Sequence, residues 1–200
     1  MAVKDSKTEQ QIKDAAKKLF FAEGKFNATT QEIADAAGVN RTLVNYYFRS
    51  RDVLFALVLK DARTEMDRRI ESYLGNATTL RAKLAHVIDV YMEQAMQYPY
   101  VDTYLLTRMN EDSEAAEEGF TKSNHPSRIK HFIKEIEAEM EKGNIRKMSP
   151  YQFFLNFAAL LTNPVAFNLM YKKMLCLTDK QFKQIIADRK AIILDMLFIK

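Results

Sequence analysis

Between Val39 and Arg51 the chain places three arginines, Arg41, Arg49 and Arg51, around Asn45, Tyr46 and Tyr47, with no acid in the segment. Each type suits one task in reading a nucleic acid. A guanidinium can fork onto a guanine edge or a phosphate, and a carboxamide can pair with the adenine edge. A tyrosine hydroxyl reaches a phosphate from a stiff ring. Three cations with no counter-charge nearby repel one another until something anionic arrives. Net charge is only +4 over the whole chain, so the basic surface is local and does not describe a general polyanion binder.

Bond-making chemistry has no comparable cluster. His86, His125 and His131 stand beside no serine or cysteine motif. Cys176 lies alone in "MLCLT" and reads as a small buried hydrophobe. H-x-x-x-H, C-x-x-C and a glycine-rich phosphate loop are absent from the sequence. The expectation is a protein that is not an enzyme and has no cofactor or metal.

The elements that would position the arginines come from "TTQEIADAAGVNRTLVNYYFRSR", residues 29–51. Thr29 followed by Glu32 is a capping box, opening a short helix from Thr30 to about Ala36. Gly38 ends that helix. Asn40 can cap a second short helix, Arg41 to Tyr47. Short helix, glycine-containing turn, short helix is the helix-turn-helix pattern, whose second helix lies in the DNA major groove. On this reading Arg41 and Thr42 occupy the first turn that meets base edges, and Asn45 lies one turn further. Thr29 and Thr30 sit at a helix start, where free N–H groups favour a phosphate. Tyr46, Tyr47 and Arg51, with Asn40 at the cap, complete the candidate DNA-binding set. Ile33, Ala34, Ala37, Val44 and Phe48 read as core.

At this length the resemblance is specific. "FNATTQEIADAAGVNRTLVNYYFRSRDVL" resembles the TetR family of bacterial transcriptional repressors. The family pattern reads approximately G-[FY]-x-x-T-[TS]-x-x-x-I-A-x-x-A-G-V-S-x-G-x-L-Y-x-[HY]-F-x-[SN]-K-x-x-L. Gly24, Thr29, Ile33, Ala34, Ala37, Gly38, Val39, Val44, Phe48, Ser50 and Leu54 fall in register, and the match covers about residues 8–58. Three positions depart from it. Thr42, followed by Leu43, stands for the usual small glycine, Asn45 for the tyrosine after the core leucine, and Arg51 for the phosphate-holding lysine. The scaffold is kept while base-reading positions change. The resemblance implies an all-helical homodimer: an N-terminal three-helix operator-binding domain, residues 1–50, and a helical ligand-binding and dimerisation domain, residues 51–200.

Helical periodicity supports about nine helices. Ala, Leu, Met, Lys, Glu and Gln dominate, while Gly and Pro number only 5 and 4. Helices are expected over about 8–23, 51–74, 79–98, 100–109, 127–140, from 150, and 180–198. "NP" at 163–164 should break or kink the one that starts at 150. An acidic, turn-rich stretch at 110–124 reads as a surface loop.

By family analogy a pocket lies among residues 80–175. His86, Tyr91, Met92, Met96, Tyr104, Arg108, Phe132, Phe157 and Met170 are its candidate lining, suited to a small, largely apolar or aromatic effector. The last two helices carry more apolar residues than one face would bury. Phe154, Phe182, Ile185, Ile186, Ile193, Met196 and Leu197 are the expected dimer interface, two helices from each chain forming a four-helix bundle. The expected partners are a double-stranded DNA operator, an effector and a second copy, with no membrane. No apolar run approaches a membrane span, and one cysteine fits a cytoplasmic protein. Two other readings remain at this point: an architectural DNA binder that senses nothing, and a helical small-molecule-binding protein with a fortuitous N-terminal motif.

Overall fold

A computed structural model describes residues 6–74, 79–111 and 125–199, and every regular element among them is helical. Ten α-helices follow in order: α1 Ser6–Lys17, α2 Thr30–Ala37, α3 Arg41–Phe48, α4 Arg51–Leu74, α5 Leu80–Gln97, α6 Val101–Glu111, α7 His125–Glu141, α8 Pro150–Ala166, α9 Asn168–Met174 and α10 Asp179–Leu197. Positions 112–124 of the acidic stretch lie outside the described residues.

The first three helices close on caps visible in the sequence. The Thr29 hydroxyl accepts from the Glu32 N–H while the Thr29 N–H donates back to the Glu32 carboxylate at 2.7 Å. The Asn40 side chain accepts from the Leu43 N–H at 2.9 Å. Gly38 turns between them at φ 66°, a conformation that costs a residue with a Cβ.

Helix α1 continues as one π-helical turn, Lys18–Ala22. Its wider winding brings three consecutive residues, Leu19, Phe20 and Phe21, into the core, which a regular helix would spread around its axis. Gly24 then stops the chain at φ 69°, and a Cβ there would press on the Tyr100 ring at 3.1 Å.

Two apolar cores result. The first joins Ile12, Phe20, Phe21, Ile33, Val44 and Phe48 to Leu54, Phe55 and Val58 of α4 and Val101 of α6. The second joins Leu84, Ile88 and Tyr91 of α5 to Ile136, Phe153, Phe157, Ile186 and Ile193. Helix α4 passes from one to the other, since Leu54, Phe55 and Val58 belong to the first while Met66 packs on the second. Helix α6 also bridges them. Its start packs on the first core, and the Tyr100 N–H donates to the Phe21 carbonyl at 3.1 Å. From the second side, the Tyr91 hydroxyl donates to the Asp102 carboxylate.

The expected break at Pro164 is displaced. Helix α8 runs through the proline to Ala166, then the chain bends by 72° into α9. Periodicity around the proline concealed that extra short helix. Cys176, expected to be buried, is exposed in the following turn at φ 52°. No single helix among the described residues is long and apolar enough to cross a membrane.

Candidate nucleic-acid interface

Helix α3 has one side fixed and one side open. Val44 and Phe48 are buried against the first core, which sets its rotation. Arg41, Thr42, Asn45 and Tyr46 consequently lie exposed on the other side, Tyr46 by 51%. Tyr47 is half-buried, packing edge-on against Tyr46 at 5.4 Å and beside Phe48. The sequence grouping of Arg41, Thr42, Asn45 and Tyr46 is therefore a grouping in space. It is a polar face about two turns long on a helix set by its neighbours, with no acidic residue on α3.

The residues at the helix starts are more occupied. The Thr29 hydroxyl accepts from the Glu32 N–H and donates to the Glu32 carboxylate at 2.8 Å, so both its capacities serve the cap. Those bonds, the backbone one foremost, hold the Glu32 carboxyl below its usual range. Thr30 is half-buried at the first position of α2, and Asn40 is exposed but spends its side-chain oxygen on α3.

Arg51 is built into the structure. Its Nε donates to the Ala28 carbonyl at 3.3 Å and its Nη1 pairs with Asp52 at 2.7 Å. Its guanidinium carbon lies 5.2 Å from the ring centres of both Phe20 and Phe55. The acid just beyond the basic segment is thus already paired. Arg49 is exposed at the end of α3 with positive φ. Its charge is plain in the sequence and its placement is not, because left-handed backbone at a non-glycine residue leaves no trace in composition.

The candidate effector residues do not converge. Tyr91 and Phe157 belong to the second core, with Met92 and Phe132 packed against it. Tyr104 joins the first core instead, 4.4 Å from the Phe55 ring. His86 Nε2 lies 2.9 Å from the Arg69 carbonyl oxygen. Met96 and Met170 are exposed, and the Arg108 side chain is outside the described residues. Met92 and Met96 line a recess of about 200 Å³ with Ile88 and Ile186. A larger cleft, about 680 Å³, opens between α8, α9 and α10 and is lined by Asn163, Tyr171, Leu175, Phe182, Ile185, Arg189 and others. None of the eight candidate effector residues whose side chains are described lines that cleft.

The candidate dimer residues divide by face. Ile186, Ile193 and Leu197 belong to the second core and are at most 8% exposed in the single chain. Phe154 and Phe182 are half-buried against that core. Ile185 and Met196 are exposed, together with Ile192 on the same side and Tyr151 and Leu155 on α8. Helix α10 is apolar on two faces, and composition does not say which one its own chain covers.

The model of bacterial regulatory proteins of the tetR family matches residues 12–58. The HTH-type transcriptional regulator BetI of Brucella anthropi is 27% identical over 81 residues, 40% of this chain, and the match spans only 42% of that relative's length. Over the whole chain the fold is similar to ketosteroid transcriptional regulator KstR2 of Mycobacterium tuberculosis, at a TM-score of 0.70 and 14% identity, covering 100% of this chain and 98% of the other. It is also similar to the fatty acid degradation regulator FadR from Bacillus halodurans, at a TM-score of 0.56 and 18% identity, covering 96% and 97%. At such identities the whole-chain likeness speaks for the fold. The family model is seated on α1 to α4, around the helix-turn-helix just described, so the N-terminal quarter of the chain is similar to the tetR family of bacterial regulatory proteins.

Proposed function

We propose that this chain is a homodimeric transcriptional regulator, a repressor that binds a palindromic operator and is released by a small, largely apolar or aromatic effector. The observation that carries the reading is the open face of α3: Arg41, Thr42, Asn45 and Tyr46 exposed on a helix whose other side is locked by Val44 and Phe48. Arg41, Thr42 and Asn45 then read base edges, while Thr30, Asn40 and the two tyrosines position the head on the phosphates. Residues 1–50 act as the reading head and 51–200 as the sensing and pairing part.

Two features support the finer parts. Apolar side chains lie exposed on α8 and α10 at Tyr151, Leu155, Ile185, Ile192 and Met196, and such a patch on a small protein marks an interface. A two-fold pair of heads suits a palindrome. For the effector, Tyr91 and Asp102 give a polar handle beside the apolar residues of the second core. The start of α6 packs on the reading head, so an effector that takes up either group would loosen that end of α6. Two fold neighbours are named as a ketosteroid and a fatty acid degradation regulator, which accords with an apolar effector.

The deciding experiment is binding to the DNA upstream of the protein's own gene, against a scrambled duplex, across a salt series. The expected result is tight binding to that region with two subunits per site, weakened by salt. Equal, weak binding to both duplexes counts against a specific operator there. A thermal-shift panel of apolar and aromatic compounds separates a sensor, which is stabilised by one of them, from an architectural DNA binder, which is not.

A further inference from the structure

We propose that Arg49 is a phosphate clamp on duplex DNA, held at the exit of α3 by a turn that an arginine occupies at a conformational cost. The inference rests on the DNA-binding reading and adds a residue to it.

Arg49 lies between α3 and α4 at φ 62° and ψ −45°. Across it the Ser50 N–H donates to the Phe48 carbonyl at 2.6 Å. An i to i+2 hydrogen bond over a residue of positive φ and negative ψ is the strained form of the γ-turn. A Cβ makes that conformation costly, and glycine adopts it freely. The turn is held from both sides. The Arg49 N–H donates to the Asn45 carbonyl at 2.8 Å, the Ser50 hydroxyl accepts from the Val53 N–H at 3.2 Å, and Phe48 and Leu54 are buried. The backbone therefore requires this conformation, but it does not require an arginine.

Nor does the side chain serve the fold. Arg49 is exposed, and among the described residues its guanidinium makes no hydrogen bond, ion pair or ring contact. Arg51, two residues on, has its fork engaged by Ala28 and Asp52 and its plane by two phenylalanines. The nearest acid in sequence, Asp52, is thus already held by another cation. A strained position occupied by a residue with an idle charge indicates a partner outside the chain.

The spacing identifies that partner's geometry. Arg41 and Arg49 are eight residues apart, about 12 Å along a helix and close to the width of the major groove. With the Arg41 end of α3 at the base edges, the Arg49 end falls at the groove rim, where the phosphates run. A guanidinium suits that task, because it holds a phosphate with parallel N–H bonds.

The test uses the full chain and a random-sequence duplex, since a phosphate contact needs no operator. Binding is followed by fluorescence anisotropy from about 50 to 200 mM KCl for the wild type, R49G and R49Q. In parallel, urea unfolding is measured for all three. The expected result is that R49G is at least as resistant to urea as the wild type. Its affinity should fall several-fold, and its log affinity against log salt slope should be shallower by about 0.9. R49Q should lose the same affinity without the gain in stability. Unchanged affinity and slope in both variants would overturn the clamp and leave the DNA-binding reading in place. R49G unfolding in less urea would also overturn it, since the arginine would then be holding the fold. A wild type without salt-dependent duplex binding would remove the DNA-binding reading, and the clamp with it.

Discussion

The Arg189 guanidinium donates through Nε and Nη2 to the Leu160 carbonyl, at 3.2 and 2.6 Å. Leu160 lies four residues before Pro164, so its carbonyl would ordinarily take the N–H that a proline lacks. A side chain from α10 thus fills the gap that Pro164 makes in α8, and the helix continues to Ala166. The two helices are joined where a kink was expected. Replacing Arg189 by alanine should cost about 1 kcal/mol, as expected for leaving a partly buried acceptor unpaired. In a P164A background the restored N–H should make the same change nearly neutral. Urea unfolding of the four proteins gives the cycle; equal costs in both backgrounds would separate Arg189 from the proline.

Arg51 is a second arginine with contacts inside the chain. It ties Ala28, the residue before the α2 cap, to the start of α4 and lies against Phe20 and Phe55. R51A should destabilise the chain by about 1–2 kcal/mol, from a hydrogen bond and a partly desolvated cation–π contact. R51K keeps the charge but loses the fork, and should lose much of the same stability. A lysine variant as stable as the wild type would return Arg51 to a purely phosphate-facing role.

On α10, Ile192 is 48% exposed and Ile193 is fully buried, so neighbouring residues give opposite tests. On the proposed dimer, I192E should shift the equilibrium towards monomer in sedimentation while leaving the helical spectrum intact. I193E places a carboxylate in the second core and should unfold the chain, a cost of several kcal/mol. L155E on α8 should behave as I192E does. A dimer that survives both I192E and L155E lies on another surface.

These contrasts show what the sequence carries. The reading head is legible because its signals are local: Thr29 with Glu32, Gly38 and Asn40 each act within three residues of themselves. The open face of α3 follows once Val44 and Phe48 fix its rotation. The C-terminal part is not legible in the same way. Helical spacing says that Tyr91, Tyr104, Phe157 and Met170 differ from a polar face, but not which core, if any, receives them. Tyr91 and Phe157 enter the second core, Tyr104 the first, and Met170 neither. On α10 both 185/192/196 and 186/193/197 are apolar stripes, and only long-range packing chooses between them. The π turn at Lys18–Ala22 escaped for a related reason, since three consecutive apolar residues fit no 3.6-residue period.

Burial raises the Asp102 carboxyl above its ordinary value of 3.8, and the hydrogen bond from Tyr91 opposes this only in part. The folded state therefore binds this proton more tightly than the unfolded chain does. The stabilisation is fully present below about 3.8 and is lost as pH rises through the raised folded value. D102N cannot ionise, and its amide oxygen still accepts from the Tyr91 hydroxyl. Relative to the wild type, D102N should gain stability between acid and neutral pH. D102L leaves that hydroxyl without its acceptor and should lose about 1–3 kcal/mol throughout. Parallel pH profiles for wild type and D102N in urea unfolding would show that the ionisation is not felt by the fold.

Arg41 gives the sharpest test of how α3 reads sequence. It is exposed on the first turn, the end that meets base edges in a helix-turn-helix. A bidentate contact to guanine contributes about 1–3 kcal/mol of discrimination, and a phosphate contact contributes none. R41A should therefore lose affinity for the DNA upstream of its own gene by that amount while keeping its affinity for random duplex. Asn45 is one turn on, and N45A should relax the preference at a neighbouring base pair. Equal losses on both DNAs, with a shallower salt slope, would place Arg41 on the backbone and leave base reading to Asn45 and Thr42. That outcome would also explain why the chain carries Thr42 where a small glycine is usual: the bulk at the start of α3 would then hold the arginine away from the bases.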